Sequence, residues 1–89
     1  MATKRFGYFD TGATLTCVAT LQSNNDQVVP TVTEPVNYVY QASWTAADGI
    51  HDLVFSVGAD VVFTIDDVET KGNVVIGVGT GHGDVRMIL

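Results

Sequence analysis

The feature that most restricts this chain is a two-residue rhythm of apolar and polar side chains that returns in separate segments. In "TLTCVATL" the apolar positions are Leu15, Cys17, Ala19 and Leu21, while Thr14, Thr16 and Thr20 take the other face. "YVYQASW" sets Tyr38, Tyr40, Ala42 and Trp44 against Gln41 and Ser43. "DLVFSV" aligns Leu53, Phe55 and Val57, "VVFTID" aligns Val61, Phe63 and Ile65, and "NVVIGV" places Val74, Ile76 and Val78 inward. Successive side chains of a strand point to opposite faces, so this alternation marks strands with one buried face. An amphipathic helix needs apolar residues at i, i+3, i+4 and i+7, and no such pattern lasts three turns here.

Turn-forming residues separate the runs. Asn24-Asn25-Asp26, Ala47-Asp48-Gly49, Gly58-Ala59-Asp60 and Lys71-Gly72-Asn73 tolerate left-handed or turn backbone. A weaker run, "VVPTVTE", contains Pro30, which has no N–H for a ladder and so belongs on a sheet edge. Turns at intervals of roughly eight to twelve residues predict an all-β fold, a small antiparallel, Ig-like β-sandwich of six to seven strands with extended terminal arms. Residues 1–12 read as an N-terminal arm or edge strand, 13–78 as the sandwich, and 79–89 as a Gly-rich C-terminal arm.

The chain has 89 residues, one cysteine, and ten acidic against four basic side chains, for a net charge of −6. A domain this small buries only roughly 60–65% of its unfolded surface, so burial against partners matters to it. Lone Cys17 excludes an internal disulfide and a cysteine metal cluster. Acidity disfavours nucleic acid, which demands several Lys or Arg contacts to phosphate. No apolar run approaches the ~20 residues of a membrane helix. "MATKRFGYFDTG" lacks the apolar core of a signal peptide, so synthesis without export by that route is expected.

Catalytic constellations are not legible. His51 lies beside Asp48 and Asp52, and His82 beside Asp84; each reads more simply as a solvated loop residue than as a metal ligand. Asp66, Asp67 and Glu69 of "DDVE" could offer oxygens to a calcium ion, but lack the spacing of a twelve-residue calcium loop and read as a turn. Cys17 falls on the apolar face, as a small buried hydrophobe. "GVGTGHG" resembles a dinucleotide fingerprint only superficially, because no helix follows to receive phosphate. The expectation is a non-enzymatic protein without cofactor or metal. Tyr38, Tyr40 and Trp44 share a face, either as core or, in a monomeric carbohydrate- or receptor-binding sandwich, as a stacking platform.

Apolar side chains without a place in the core pattern gather at both ends. Phe6, Tyr8 and Phe9 precede the first clear strand, and Arg86, Met87, Ile88 and Leu89 follow the glycines at 77, 79, 81 and 83. These seven residues are the candidate partner-binding set. Three apolar residues on a glycine tether find burial by adding a strand to a sheet edge, with a partner chain the favoured host and the chain's own domain the alternative.

The run from Phe9 to Gly58 resembles small β-sandwich modules of tailed-bacteriophage virion proteins. The matching residues are Thr11, Gly12, Thr14, Thr16 and Leu21, then Thr33, Glu34, Tyr40 and Ala42, then Asp48, Gly49, Asp52 and Phe55; His51 stands where such modules often carry tyrosine. The resemblance implies a virion structural protein, foremost a capsid decoration (cement) protein that braces major capsid subunits. It also implies a homo-oligomer, commonly a trimer, made in the host cytoplasm and located in the virion. A tail, neck or fibre module is the alternative within the class.

Overall fold

In a computed structural model that describes residues 1–78, the alternating runs become eight strands. These are β1 (Ala2–Gly7), β2 (Leu15–Leu21), β3 (Gln27–Val28), β4 (Thr31–Val36), β5 (Val39–Trp44), β6 (Gly49–Val57), β7 (Asp60–Lys71) and β8 (Val74–Val78). One sheet has the order β1-β5-β4 and the other β3-β2-β6-β7-β8, and neighbouring strands are antiparallel. The fold is therefore the expected small antiparallel β-sandwich. Among the described residues no helix is long and apolar enough to cross a membrane.

Eight strands replace the expected six to seven partly because Pro30 splits its run. Val28 pairs with Ala19 in the five-stranded sheet, whereas Thr31 pairs with Ser43 in the other. Pro30 is buried between them, where the chain changes sheets. A residue without an N–H interrupts a ladder, so the crossover falls there, and both flanking strands are edges.

The inward side chains of β2 (Leu15, Cys17, Ala19, Leu21), β5 (Tyr40, Ala42, Trp44) and β6 (Leu53, Phe55) are buried, as their alternation requires. At their centre Phe6 meets Phe55 at 4.5 Å between ring centroids and Tyr40 at 5.9 Å, and Phe55 stacks on Phe63 at 4.6 Å. Burying each large apolar side chain contributes about 1.5–3 kcal/mol, so this cluster is the main brace between the sheets.

Of the two readings of residues 1–12, arm or edge strand, the structure has the edge strand: Phe6 is 0% exposed, and Ala2–Gly7 pairs along β5 from Trp44 to Val39, so β1 is part of the sandwich. The period was obscured because its inward positions are Ala2, Lys4 and Phe6, and Lys4 is a buried cation.

Two bulges explain the errors in β7. Between Phe55↔Phe63 and Ser56↔Val61, Val62 is an extra residue. Val61, expected inward, thereby pairs with an outward position and is exposed. Between His51↔Val68 and Leu53↔Ile65, Asp66 and Asp67 together face Asp52, and Asp67 has φ 58°. The bulge lets Ile65 and Val68, three apart, both face inward. "DDVE" is accordingly the middle of a strand and not a turn. In β8 the inward choice of Val74 and Ile76 was reversed: both are exposed, and Val75 packs on the core, while the Val78 side chain lies outside what is described. With valines on both faces, alternation alone does not select the buried one. Val57, at the end of β6, and Tyr38, in the turn between β4 and β5, are also exposed.

Candidate functional site

Three connections meet at one end of the sandwich: the loop after β1, the β4–β5 hairpin and the β6–β7 hairpin. A single carboxylate organises the first two. Glu34 Oε2 accepts hydrogen bonds from Thr11 Oγ1 at 2.6 Å and Tyr38 N at 2.9 Å, while its Oε1 accepts from Gly12 N at 2.8 Å. The Thr11 hydroxyl, then the Tyr38 amide, hold this carboxyl below its ordinary range against the opposing effect of desolvation. Behind it, the Tyr40 hydroxyl donates to Asp10 O at 2.8 Å and accepts from Ala13 N at 2.9 Å. Residues 10–13 are thus fastened to the opposite hairpin at four points.

Around this clasp the surface is apolar. Phe9 is 80% exposed and leans on Tyr8 at 4.6 Å between centroids. Val36 and Tyr38 on one hairpin, and Val57 and Val61 on the other, are also exposed. Tyr38 has φ 70°, a left-handed backbone that a bulky residue adopts at a cost of order 1 kcal/mol or more. Its carbonyl accepts from Tyr8 N at 3.0 Å, which links the hairpin to the end of β1. The result is a rigidly fastened pole that presents two aromatic side chains and several valines to solvent.

Of the candidate partner-binding residues, Phe6 lies in the core and cannot reach a partner in this fold. Tyr8 is half-buried against Tyr40 and Phe63, and Phe9 stands at the pole. Arg86, Met87, Ile88 and Leu89 lie outside the described residues, as do His82 and Asp84.

The other chemical candidates are internal. His51 is 4% exposed rather than solvated, a correction to its reading as a loop residue. Its Nε2 lies 3.0 Å from both Ala47 O and Thr70 Oγ1, and Thr70 Oγ1 donates to Ala47 O at 2.7 Å. A carbonyl only accepts and the threonine proton is already committed, so Nε2 carries the hydrogen and donates. The group latches residues 46–49 onto β7. Trp44, 2% exposed, meets His51 edge-on at 5.8 Å, and its Nε1 finds no acceptor among the described residues. With Tyr40 and Trp44 both buried, the sugar-stacking platform does not form.

Gln22 Nε2 donates to Asp52 Oδ1 at 2.9 Å and to Asp67 Oδ1 at 2.6 Å, so these carboxylates serve the β7 bulge. Among the described residues no three of His, Cys, Asp and Glu gather as a metal site would require. Burial pushes the Cys17 thiol up to about 12, where thiolate is scarce at neutral pH.

The chain is a small antiparallel β-sandwich with Phe9, Tyr38 and several valines exposed at one end. Compared with known proteins, the chain matches no family model, no curated protein and no solved structure.

Sequence reasoning missed Glu34 as an organiser, although Thr11, Gly12, Glu34 and Tyr40 all stood in the motifs. It also missed Asn73, whose Oδ1 accepts from Ala2 N at 3.1 Å and Ala46 N at 2.8 Å. A side chain that serves backbone groups far along the chain leaves no local periodicity to read.

Proposed function

We propose that this protein is a non-enzymatic virion structural module, a capsid decoration protein that binds major capsid subunits through the pole around Phe9 and Tyr38. The observation that carries the reading is the clasp. Thr11, Gly12, Glu34 and Tyr40, which carry the resemblance to phage virion modules, converge on one fastening that braces the exposed surface. Keeping Tyr38 in a left-handed conformation while leaving half its surface in water costs stability that a plain turn residue would not. Such a feature fits a surface shaped for a partner, and exposed aromatics are favoured anchors at interfaces. The net charge of −6 fits binding to protein in preference to the packaged DNA.

The mechanism is mechanical. The two-sheet core resists deformation, the pole buries Phe9, Tyr38 and neighbouring valines against a capsid subunit, and copies associate, as trimers, around a lattice axis. The test is co-sedimentation of the full-length chain with assembled shells of the major capsid protein from the same genome. Saturable retention that falls at least about tenfold for Phe9→Ala combined with Tyr38→Ala is expected, since each hot-spot truncation costs about 1–2 kcal/mol. A chain left wholly in the supernatant overturns the reading.

A further inference from the structure

The outward side chains of the smaller sheet stand in three cross-strand rows. Thr3, Ser43 and Thr31 form the first, Arg5, Gln41 and Thr33 the second, and Gly7, Val39 and Val36 the third. Alternation with buried neighbours on β1 and β5, and with core-packed Val32 on β4, fixes them on the outer face. Successive rows lie two residues apart along β1 and β5, roughly 7 Å. The face therefore passes from hydroxyls, through a guanidinium and an amide, to valines. Tyr38, in the turn beyond the third row and half-exposed, joins it to the apolar pole.

Arg5 stands apart on this face. The chain carries ten acids against four bases, yet none of the positions in the three rows is acidic. Glu34, next to Thr33, has both carboxylate oxygens engaged by Thr11, Gly12 and Tyr38. Among the described residues the exposed Arg5 guanidinium makes one polar contact, Nε donating to Gln41 Oε1 at 3.1 Å. That bond orients the fork and leaves the N–H groups of both Nη atoms for a ligand. Thr3 Oγ1 and Ser43 Oγ, 3.1 Å apart, fix the row beside it. A guanidinium held in this way loses less freedom when it binds.

The order of the rows selects the occupant. The paired N–H groups of a guanidinium match the two oxygens of a carboxylate. A nucleic acid or an anionic membrane would bring many negative charges against a chain of net charge −6, with one cation on this face to meet them. A protein side chain brings one carboxylate, and an apolar neighbour on the same partner fits the valine row. A Cβ at Gly7 would find only Tyr38 O, at 3.9 Å, so there is space beside Val39 for that neighbour.

We propose that this face is the polar flank of the pole and receives, on Arg5, a carboxylate side chain of the protein that docks there, while an adjacent apolar side chain covers Val36, Val39 and Tyr38. The inference rests on the capsid reading and deepens it, by giving the capsid subunit's contact an acidic residue beside an apolar one.

The test is co-sedimentation of full-length chains with shells of the major capsid protein from the same genome, over a series of salt concentrations. Arg5→Gln is expected to lower retention about tenfold and to flatten its salt dependence, and Arg5→Glu to lower it further. Lys71→Glu makes the same change of charge on the other sheet and is expected to stay within about twofold of wild type. Equal losses for Arg5→Glu and Lys71→Glu indicate general repulsion and overturn the proposal. Retention untouched by the Arg5 changes also overturns it, and the capsid reading then stands or falls on Phe9→Ala with Tyr38→Ala. A wild-type chain left in the supernatant overturns both. Native mass is measured alongside: an oligomer that Arg5→Glu breaks into monomers gives the face to a second copy and overturns the proposal. Arg5 is exposed, so its variants are expected to keep the melting temperature of the wild type. If Arg5→Glu does not, Arg5→Lys decides, because it keeps the charge and loses the fork. A loss of at least about threefold then supports the proposal, and unchanged retention overturns it.

Discussion

Thr11 and Glu34 stand 23 positions apart and meet at 2.6 Å, the hydroxyl donating to the carboxylate. That one bond ties the loop between the two sheets to a hairpin of the smaller sheet, and the Gly12 and Tyr38 amides complete the same carboxylate. A polar fastening at the rim thus holds what the aromatic core does not reach.

Glu34 links this fastening to acidity. Its folded carboxyl titrates below the ordinary value, so its contribution to stability is present above the unfolded-state value and is lost as pH falls through the folded one. Glu34→Gln is expected to lower the melting temperature at neutral pH and to flatten the acid limb of the stability curve. Thermal unfolding of both proteins across the acid range checks the sign.

Phe6 and Phe9 lie three residues apart in sequence and at opposite extremes of burial. Phe6→Ala is expected to cost about 3–5 kcal/mol, because it empties the centre of the aromatic cluster. Phe9→Ala should change stability by no more than about 0.5 kcal/mol. Urea titrations of the two variants separate the core residue from the surface one.

Lys4 faces inward on β1, and burial lowers its pKa from 10.5. The folded state holds the proton less tightly than the unfolded chain, so the cost is present at neutral pH and fades as pH rises through the folded value towards 10.5. Lys4→Met is expected to stabilise by about 1 kcal/mol at neutral pH and to lose the alkaline gain. Denaturant midpoints at neutral and alkaline pH read both effects.

Thr70 completes the latch on residue 47. Thr70→Val keeps the shape but strands part of the hydrogen bonding of Ala47 O and His51 Nε2, at a cost of about 1–2 kcal/mol. A destabilised but two-state urea transition is the expected result.

The fold class was legible because three strands, β2, β5 and β6, obey a two-residue period with little interruption. The failures have local causes. Lys4 broke the apolar rhythm of β1, bulges at Val62 and at Asp66 and Asp67 reset the phase of β7, and β8 carries valine on both faces. His51 was read as solvated because its partners, Ala47 and Thr70, converge only after β6 and β7 pair. The pole was half legible. Phe9 and the clasp residues were noticed, but what joins Thr11 to Glu34 is a distance in space.

The inward lysine of β1 has a consequence for how copies of this molecule meet. Any strand that aligned with that margin would have to close over an ammonium group. The opposite margin of the same sheet, β4, carries Pro35 and follows Pro30, and β3 is only two residues long. Three borders are thus guarded by a charge, by proline and by brevity. In a concentrated population, fortuitous side-by-side stacking is discouraged at those borders.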